Sequence, residues 1–165
     1  MNRGMWLMAA SGGGTLVLDQ ISKVMIGTWM YPGESRPLIP GLLYLTYVKN
    51  TGGVFGVFPR STWVFIVSSL VLLGAFFVAI SMARNSPYAR FLFSGKLSNL
   101  GVGAVVGGAL GNLVDRLRFG AVVDFLDFRV WPVFNLADIG IVVGVVALGY
   151  HFIFCAQRGE DGEAG

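Results

Sequence analysis

The sequence predicts a membrane protein with four transmembrane helices and a small β element outside the bilayer. Hydrophobic residues make up 55% of the 165-residue chain and charged residues 13%, whereas soluble domains contain roughly 45–50% and about 25%. Four apolar stretches are long enough to cross the ~30 Å hydrocarbon core as helices of about 20 residues. Between the first two stretches, a segment rich in aromatic and β-branched residues predicts the β element.

The whole chain, residues 1–165, is predicted to form one polytopic membrane domain. Its predicted spans are residues of about 5–25, 62–82, 97–114 and 133–155. The first span begins like a secretory signal, because Arg3 precedes an apolar run. No small-residue cleavage site follows, so we interpret this span as a retained helix.

Regularly spaced glycines indicate how two of the spans pack. Gly103, Gly107 and Gly111 recur at intervals of four residues in the third span, and Gly140 and Gly144 repeat this spacing in the fourth. Because glycine lacks a Cβ, such a face lets two helix backbones approach closely. We therefore predict that spans three and four pack against each other.

The distribution of basic residues indicates the orientation in the membrane. Four spans place both termini on one side, together with the connection between spans two and three, which holds three basic residues and no acid. By the positive-inside rule this side is cytoplasmic. The outer side then carries two loops, at residues of about 26–61 and 115–132.

The first outer loop predicts turns followed by a strand. Its segment YPGESRPLIPG is rich in proline and glycine, and the following LLYLTYVKN is typical of a strand. Trp29, Tyr31, Tyr44 and Tyr47 are residue types that favour the headgroup level. We therefore expect this element at the membrane interface, where its backbone is sheltered by its own pairing.

The remaining composition excludes several kinds of site. One cysteine, Cys155, and one histidine, His151, provide neither a disulfide nor a recognisable metal-ligand set. We therefore expect no cofactor and no metal, and we interpret His151 as an interface residue. The net charge of +3 comes from scattered basic residues, which argues against nucleic-acid binding.

Aspartates in apolar surroundings are the candidate chemical groups. The stretch FGAVVDFLDFRVWPVFNLAD contains Asp124, Asp127 and Asp138, and the predicted topology brings them to the outer face with Asp19 and Asp115. An ionised carboxylate at membrane depth is costly, so it pairs, takes up a proton or lines a wet cavity in which it acts. A functional site at the outer face is therefore the first hypothesis.

A pair of these aspartates can support hydrolysis. Two carboxyl groups held close together share one proton, so one can act as a general acid and the other as a general base on water. Asp138 is one candidate because it shares a helix face with Asn135, and Ala137 beside them leaves room for a close approach. Asp124 is the other, in a loop that we predict folds back over the start of span four.

Other interpretations of the same residues stay open. Asp124 or Asp138 could cap a helix or pair with Arg116 or Arg118, and Asp127 is typical of a surface ion pair with the arginine two residues later. Acids could also relay protons in a transporter, but they should then lie in series across the bilayer rather than at one face. A scaffold subunit would account for the glycine faces but leaves the aspartates unexplained.

The chain resembles bacterial lipoprotein signal peptidase, also called signal peptidase II, along nearly its whole length. The resemblance rests on five blocks in the family's order, LDQISK, VKNTGGVFG, GGALGNLVDR, VVDF and FNLAD. It implies a fold of four transmembrane helices with an extramembrane β-cradle and a short periplasmic helix. It also implies an aspartic peptidase in which Asp124 and Asp138 are the catalytic pair.

The resemblance implies further residues that bind substrate or support this pair. They are Asp19, Lys23, Asn50, Gly52, Gly108, Asn112, Arg116, Asn135 and Ala137. Asp19 and Lys23 are four residues apart on a helix, so the sequence is equally consistent with a structural ion pair and with a substrate contact.

The resemblance also implies the substrate and the location. The family cleaves diacylglyceryl-modified prolipoproteins just before the lipid-bearing cysteine. The expected partners are therefore these substrates and membrane lipids, without a cofactor or nucleic acid. We expect a monomer in the bacterial cytoplasmic (inner) membrane, with both termini cytoplasmic and the active site near the outer face.

Overall fold

Four long helices and one small sheet make up the part of the chain that the structure describes. This computed structural model describes residues 3–51, 62–83 and 95–160, and no short helix occurs within these ranges. The helices are α1 (Arg3–Trp29), α2 (Thr62–Ala83), α3 (Lys96–Phe119) and α4 (Leu136–Glu160). The strands are β1 (Ser35–Ile39), β2 (Leu43–Asn50) and β3 (Val122–Asp127).

Two of these helices are long and apolar enough to cross a membrane. They are the whole of α3 and the part of α4 from Leu136 to Phe154. The helices α1 and α2 contain 27 and 22 residues, which at about 1.5 Å per residue also reach across a ~30 Å core. The charged residues Asp19 and Lys23 interrupt the apolar sequence of α1. The structure thus contains two candidate spans, and the arrangement of four spans stays a prediction.

Glycines allow α3 to lie close to two other helices. A Cβ on Gly107 would overlap the main chain of Gly12 in α1, whereas a Cβ on Gly101 would lie 2.9 Å from the carbonyl oxygen of Gly144 in α4. The sequence correctly indicated close contact between α3 and α4, but Gly103 and Gly107 meet α1 instead. Residues 101 and 103 are about 200° apart around a helix of 3.6 residues per turn, so they face different neighbours.

The contacts also give the helix directions. Along α1 and α3, Gly4 lies beside Asn99 and Asp19 lies beside Gly111, so these two helices are parallel. Gly95 of the α3 start lies beside His151 near the end of α4, so α3 and α4 are antiparallel. His151 is therefore buried beside the start of α3.

The sheet is antiparallel in the order β1-β2-β3 and lies at the end of the bundle where α1 and α3 finish. Strand β2 confirms the strand predicted for LLYLTYVKN. Lys49 is opposite Val123, and Val48 is opposite Asp124. Because side chains alternate along a strand, Lys49 and Val123 lie on one face, and Asn50 and Asp124 lie on the other.

Three details of the outer segments differ from the sequence interpretation. α3 continues to Phe119 rather than to about residue 114, and it ends at Gly120, whose φ of 68° is a left-handed conformation that glycine adopts easily. Asp124, predicted in a loop, lies in β3 because VVDFLD pairs with β2. Tyr47, predicted at the headgroup level, is 7% exposed and packs beneath the sheet against Ile26.

The close contact between α1 and α3 can be tested with Gly107→Ala. The added methyl group would overlap the main chain of Gly12, and overpacking of this kind costs roughly 1–3 kcal/mol. We expect a lower unfolding temperature in detergent. Gly14→Ala is the matched control, because nothing lies within 4 Å of a Cβ at that position. An unchanged unfolding temperature for Gly107→Ala would show that the two backbones are further apart.

Candidate active site

The buried ammonium of Lys23 is the centre of a charged cluster between α1 and α3. Its Nζ lies 2.8 Å from Oδ2 of Asp19 and 3.0 Å from Oδ2 of Asp115, and all three side chains are at most 3% exposed. The side-chain amide of Gln20 donates to Oδ1 of Asp115 at 3.0 Å. Each charge therefore has a partner of opposite sign within hydrogen-bond distance, as buried charges require.

The two carboxylates of this cluster also bind the main chain of neighbouring elements. Oδ1 of Asp19 accepts a hydrogen bond from the backbone N–H of Ala137 at 2.9 Å, and Oδ2 of Asp115 accepts one from the backbone N–H of Val123 at 3.0 Å. The cluster thus ties α1 to the start of α4 and α3 to β3. The residues that follow these two N–H groups are Asp138 and Asp124.

Asp138 lies in the first turn of α4, where it forms a reciprocal cap with Asn135. The backbone N–H of Asn135 donates to Oδ2 of Asp138 at 3.2 Å, and the backbone N–H of Asp138 donates to Oδ1 of Asn135 at 3.0 Å. Two N–H groups that lack helical partners are satisfied in this way. Asp138 therefore caps a helix, and the cap engages only one of its carboxyl oxygens.

Two asparagine amides link Asp138 to Asp124. Nδ2 of Asn112 donates to Oδ1 of Asp138 at 2.9 Å, and Nδ2 of Asn135 donates to Oδ1 of Asp124 at 2.6 Å. The amides also join each other, because Nδ2 of Asn135 donates to Oδ1 of Asn112 at 3.0 Å. On its other side, Asp124 accepts a hydrogen bond from Nδ2 of Asn50 at 2.9 Å.

Lys23 determines which way the side-chain amide of Asn112 is turned. Its ammonium group donates to Oδ1 of Asn112 at 3.0 Å. An ammonium group cannot accept a hydrogen bond, so it must face the amide oxygen. The NH₂ group of Asn112 is consequently turned toward Asp138. The structural alternative for Lys23 is thereby supported, since its hydrogen bonds and ion pairs go to protein groups.

Asp124 and Asp138 line the same cavity, of about 250 Å³. The other lining residues are Asn50, Asn112, Arg116, Val122, Trp131, Pro132, Val133, Phe134, Ile141 and Val142. The guanidinium carbon of Arg116 lies 5.3 Å from the centre of the Phe65 ring, which holds this cation beside the cavity. Among the described residues, no group of three or more His, Cys, Asp or Glu side chains is placed to hold a metal ion.

The environment of Asp124 favours its neutral form. Burial, and to a lesser degree the nearby charge of Asp138, raise the pKa of this carboxyl from 3.8 to about 6, although the hydrogen bonds from Asn50 and Asn135 act to lower it. A carboxyl that keeps its proton beside a second carboxyl can act as an acid while its neighbour acts as a base. The cavity therefore contains the groups that activation of water requires.

Most residues that the sequence singled out meet at this site. Gly108 lets α4 approach α3, because a Cβ there would overlap the carbonyl oxygen of Ala137, which is fully buried. Gly52 lies outside the described residues. Asp127 forms the predicted ion pair with Arg129 at 3.5 Å.

Two members of the charged cluster were not assigned a role from the sequence. Gln20 and Asp115 stand inside the blocks LDQISK and GGALGNLVDR, but the sequence alone did not connect them. The available signal was their spacing, because Gln20 and Lys23 are within one helical turn, as are Asn112 and Asp115. The aromatic lining from Trp131 and Phe134 was also missed, although WPVF precedes Asn135 directly.

Comparison with known proteins finds similarity along most of the chain. The family model described as signal peptidase (SPase) II matches residues 13–154. The chain is 47% identical over 148 residues to the lipoprotein signal peptidase of Moorella thermoacetica, which covers 89% of this chain and 91% of that protein. It is 42% identical to the lipoprotein signal peptidase of Pelotomaculum thermopropionicum, with coverage of 90% and 92%.

Two solved structures, each described as a bacterial membrane enzyme, have a similar fold. The first has a TM-score of 0.74 and 25% identity, and the match covers 92% of this chain and 90% of the other. The second has a TM-score of 0.71 and 26% identity, and it covers 89% and 92%. The fold of this chain is therefore similar to that of membrane enzymes over almost its full length.

The charged cluster predicts a large effect of Lys23→Met. This change leaves the buried carboxylates of Asp19 and Asp115 without their cation, and breaking a buried ion pair in this way costs roughly 3–5 kcal/mol. We expect a marked fall in the unfolding temperature in detergent. Lys96→Met is the matched control, because Lys96 is exposed at the start of α3. Equal unfolding temperatures for the two variants would contradict the role of the cluster.

Proposed function

Because the chain belongs to the signal peptidase II family of aspartic-type peptidases, we propose that Asp124 and Asp138 are the catalytic pair with which it removes signal peptides from prolipoproteins. The substrate we propose is a diacylglyceryl-modified prolipoprotein, cleaved just before the lipid-bearing cysteine. The enzyme is a bacterial membrane protein. We further propose four spans, cytoplasmic termini, a monomeric state and an active site near the outer face.

One observation carries this proposal: Asp124 and Asp138 line one cavity and are joined through the amides of Asn135 and Asn112. Asp124 lies in a strand and Asp138 caps a helix, so nothing local requires their carboxyl groups to be close. The hydrogen-bonded amides of Asn135 and Asn112 each hold one of these carboxyl groups, which fixes their positions relative to each other. Such preorganisation is what proton transfer to and from a bound substrate requires.

The environments of the two carboxyl groups suggest their starting roles. Asp124 holds the proton, since burial raises its pKa to about 6. Asp138 is the carboxylate, since it lies in the first turn of α4, where the positive end of the helix dipole favours a negative charge. A water molecule then loses a proton to Asp138 as its oxygen attacks the scissile carbonyl carbon, and Asp124 gives its proton to the carbonyl oxygen.

Collapse of the tetrahedral intermediate completes the reaction. The carbon–nitrogen bond breaks, Asp138 gives its proton to the departing amine, and Asp124 takes back the proton from the hydroxyl that becomes the new carbonyl. The products are the free signal peptide and the lipoprotein with a new amino group on its cysteine. Water is the only co-reactant, so we propose that no cofactor takes part.

An apolar groove beside Asp138 is consistent with the proposal that the substrate carries lipid. It has a volume of about 440 Å³ and is lined by Phe128, Trp131, Phe134, Ile139, Val142 and Val143. The groove opens next to the catalytic pair, so acyl chains can lie against apolar side chains while the peptide bond enters the polar cavity. Arg116 and Asn50 line that cavity and are placed to bind the peptide main chain.

The proposal is tested by cleavage of a diacylglyceryl-modified prolipoprotein by the purified protein. Asp124→Asn and Asp138→Asn keep the shape but remove the acid, and we expect at least about a thousandfold loss of kcat, because acid and base catalysis each contribute roughly 10²–10⁴. Asp127→Asn is the matched control on β3, since Asp127 contacts Thr46 and Arg129 instead of the cavity.

Unfolding temperatures in detergent separate loss of chemistry from loss of fold in these variants. Cleavage should also require the lipid, so the unlipidated precursor should not be cut. Full activity in either folded variant removes that aspartate from the mechanism. A wild-type protein inactive on every precursor would favour the proton-transporter alternative.

The pKa of Asp124 predicts the pH dependence. If kcat/KM needs one proton on the pair, it should fall as pH rises through about 6, the pKa to which burial raises Asp124. In Asn50→Ala, the carboxylate of Asp124 loses an N–H donor, so the pKa should rise and the alkaline limb should move to higher pH. Thr46→Ala on the same strand is the control. A limb that stays in place or moves to lower pH in Asn50→Ala excludes this assignment.

A further inference from the structure

A second pocket lies on the face of the sheet opposite to Asp124. Its volume is about 250 Å³, and it lies between the last turns of α1 and α3 and strand β2. Its walls include Val24, Gly27, Tyr47, Lys49, Arg118 and Phe119. The proposed reaction uses none of these side chains.

The rim of this pocket is positively charged. Lys49 and Arg118 are exposed, and neither forms an ion pair with an acidic side chain in the described ranges. The guanidinium carbon of Arg118 lies 5.2 Å from the centre of the Phe119 ring, which holds it at the rim. Asp115, which also lines the pocket, is held in the buried ion pairs that Lys23 forms with Asp19 and Asp115. The rim of the pocket therefore presents two cations that form no ion pair with an acidic side chain of the described residues.

A tyrosine hydroxyl in the pocket wall also lacks a partner. Tyr47 is 7% exposed, and its hydroxyl makes no hydrogen bond to another described residue. The hydroxyl lies 3.8 Å from the position that a Cβ on Gly27 would take, and both residues line the pocket. Although the residue as a whole is largely buried, its hydroxyl is accessible from the pocket. The hydroxyl is thus a donor for a polar group that enters the pocket.

Apolar surface continues from the pocket along α1. Val17, Ile21 and Val24 are at least half exposed, and their spacing of four and three residues places them on one stripe of the helix. The pocket is slightly smaller than the roughly 300–1,000 Å³ that holds a drug-sized ligand. Its size suits a headgroup, and the stripe suits an acyl chain attached to that headgroup.

We propose that this pocket binds an anionic phospholipid of the leaflet next to the sheet. Lys49 and Arg118 hold the phosphate, because a guanidinium matches phosphate geometry and neither cation forms an ion pair with an acidic side chain of the described residues. The hydroxyl of Tyr47 donates to the headgroup, and an acyl chain lies on the stripe of α1. The lipid is a resident partner on the face of the sheet that does not carry the catalytic pair.

The test is lipid retention by the full-length protein in detergent, measured by native mass spectrometry during titration with phosphatidylglycerol or phosphatidylcholine. We expect preferential retention of phosphatidylglycerol by the wild type. In the double variant Lys49→Gln/Arg118→Gln, the apparent Kd for phosphatidylglycerol should rise about 30-fold, because two basic side chains that attract the anionic lipid are lost. Lys96→Gln/Arg36→Gln removes the same charge elsewhere and should leave the Kd unchanged.

Two further measurements separate a lipid site from simpler alternatives. Tyr47→Phe should weaken retention of phosphatidylglycerol while leaving the unfolding temperature near that of the wild type. Glycerol 3-phosphate should compete poorly, because it has a phosphate but no acyl chain. Equal retention of both lipids, equal losses in the two double variants, or equally tight binding of glycerol 3-phosphate would each overturn the proposal. Retention is measured without substrate, so these outcomes do not depend on peptidase activity.

Discussion

The buried ammonium of Lys23 is the interaction on which the remaining structure depends. It forms ion pairs with both Asp19 and Asp115, and each of these carboxylates accepts a hydrogen bond from one backbone N–H of another element. Those N–H groups belong to Ala137 and Val123, so each immediately precedes one of the two aspartates in the cavity. A cation on α1 thus sets the main-chain positions of two carboxyl groups that are far apart in sequence. Its further hydrogen bond to Asn112 also orients the amide that faces Asp138.

The sheet separates two chemically different environments by the simple alternation of side chains. Neighbouring residues Lys49 and Asn50 point to opposite faces of β2, as do Val123 and Asp124 of β3. One face completes the polar cavity of the proposed catalytic pair, and the other covers a basic pocket over α1 and α3. A shift of one residue in strand register would exchange the two sets of side chains. The pairing of β2 with β3 is therefore as important to the site as any single hydrogen bond.

Local patterns predicted the parts of this arrangement that depend on nearby residues. The composition of LLYLTYVKN indicated β2, and the spacing of Asn135 and Asp138 placed both on one face at the start of α4. The partners of particular residues in distant segments were not predictable, because a glycine pattern shows that a helix can pack closely but does not identify the neighbour of each glycine. Gly107 therefore met α1 instead of α4, and the link from Lys23 to Asp115, 92 residues later, stayed hidden.

The reciprocal cap at the start of α4 connects acid–base chemistry to main-chain order. Oδ2 of Asp138 accepts the N–H of Asn135, and a protonated oxygen is a poorer acceptor than a carboxylate oxygen. If Oδ2 takes up the proton from water in the proposed reaction, its hydrogen bond with the N–H of Asn135 is weakened until the proton leaves with the amine. In the proposed reaction, the start of α4 would then loosen and tighten once for every peptide bond that is cut.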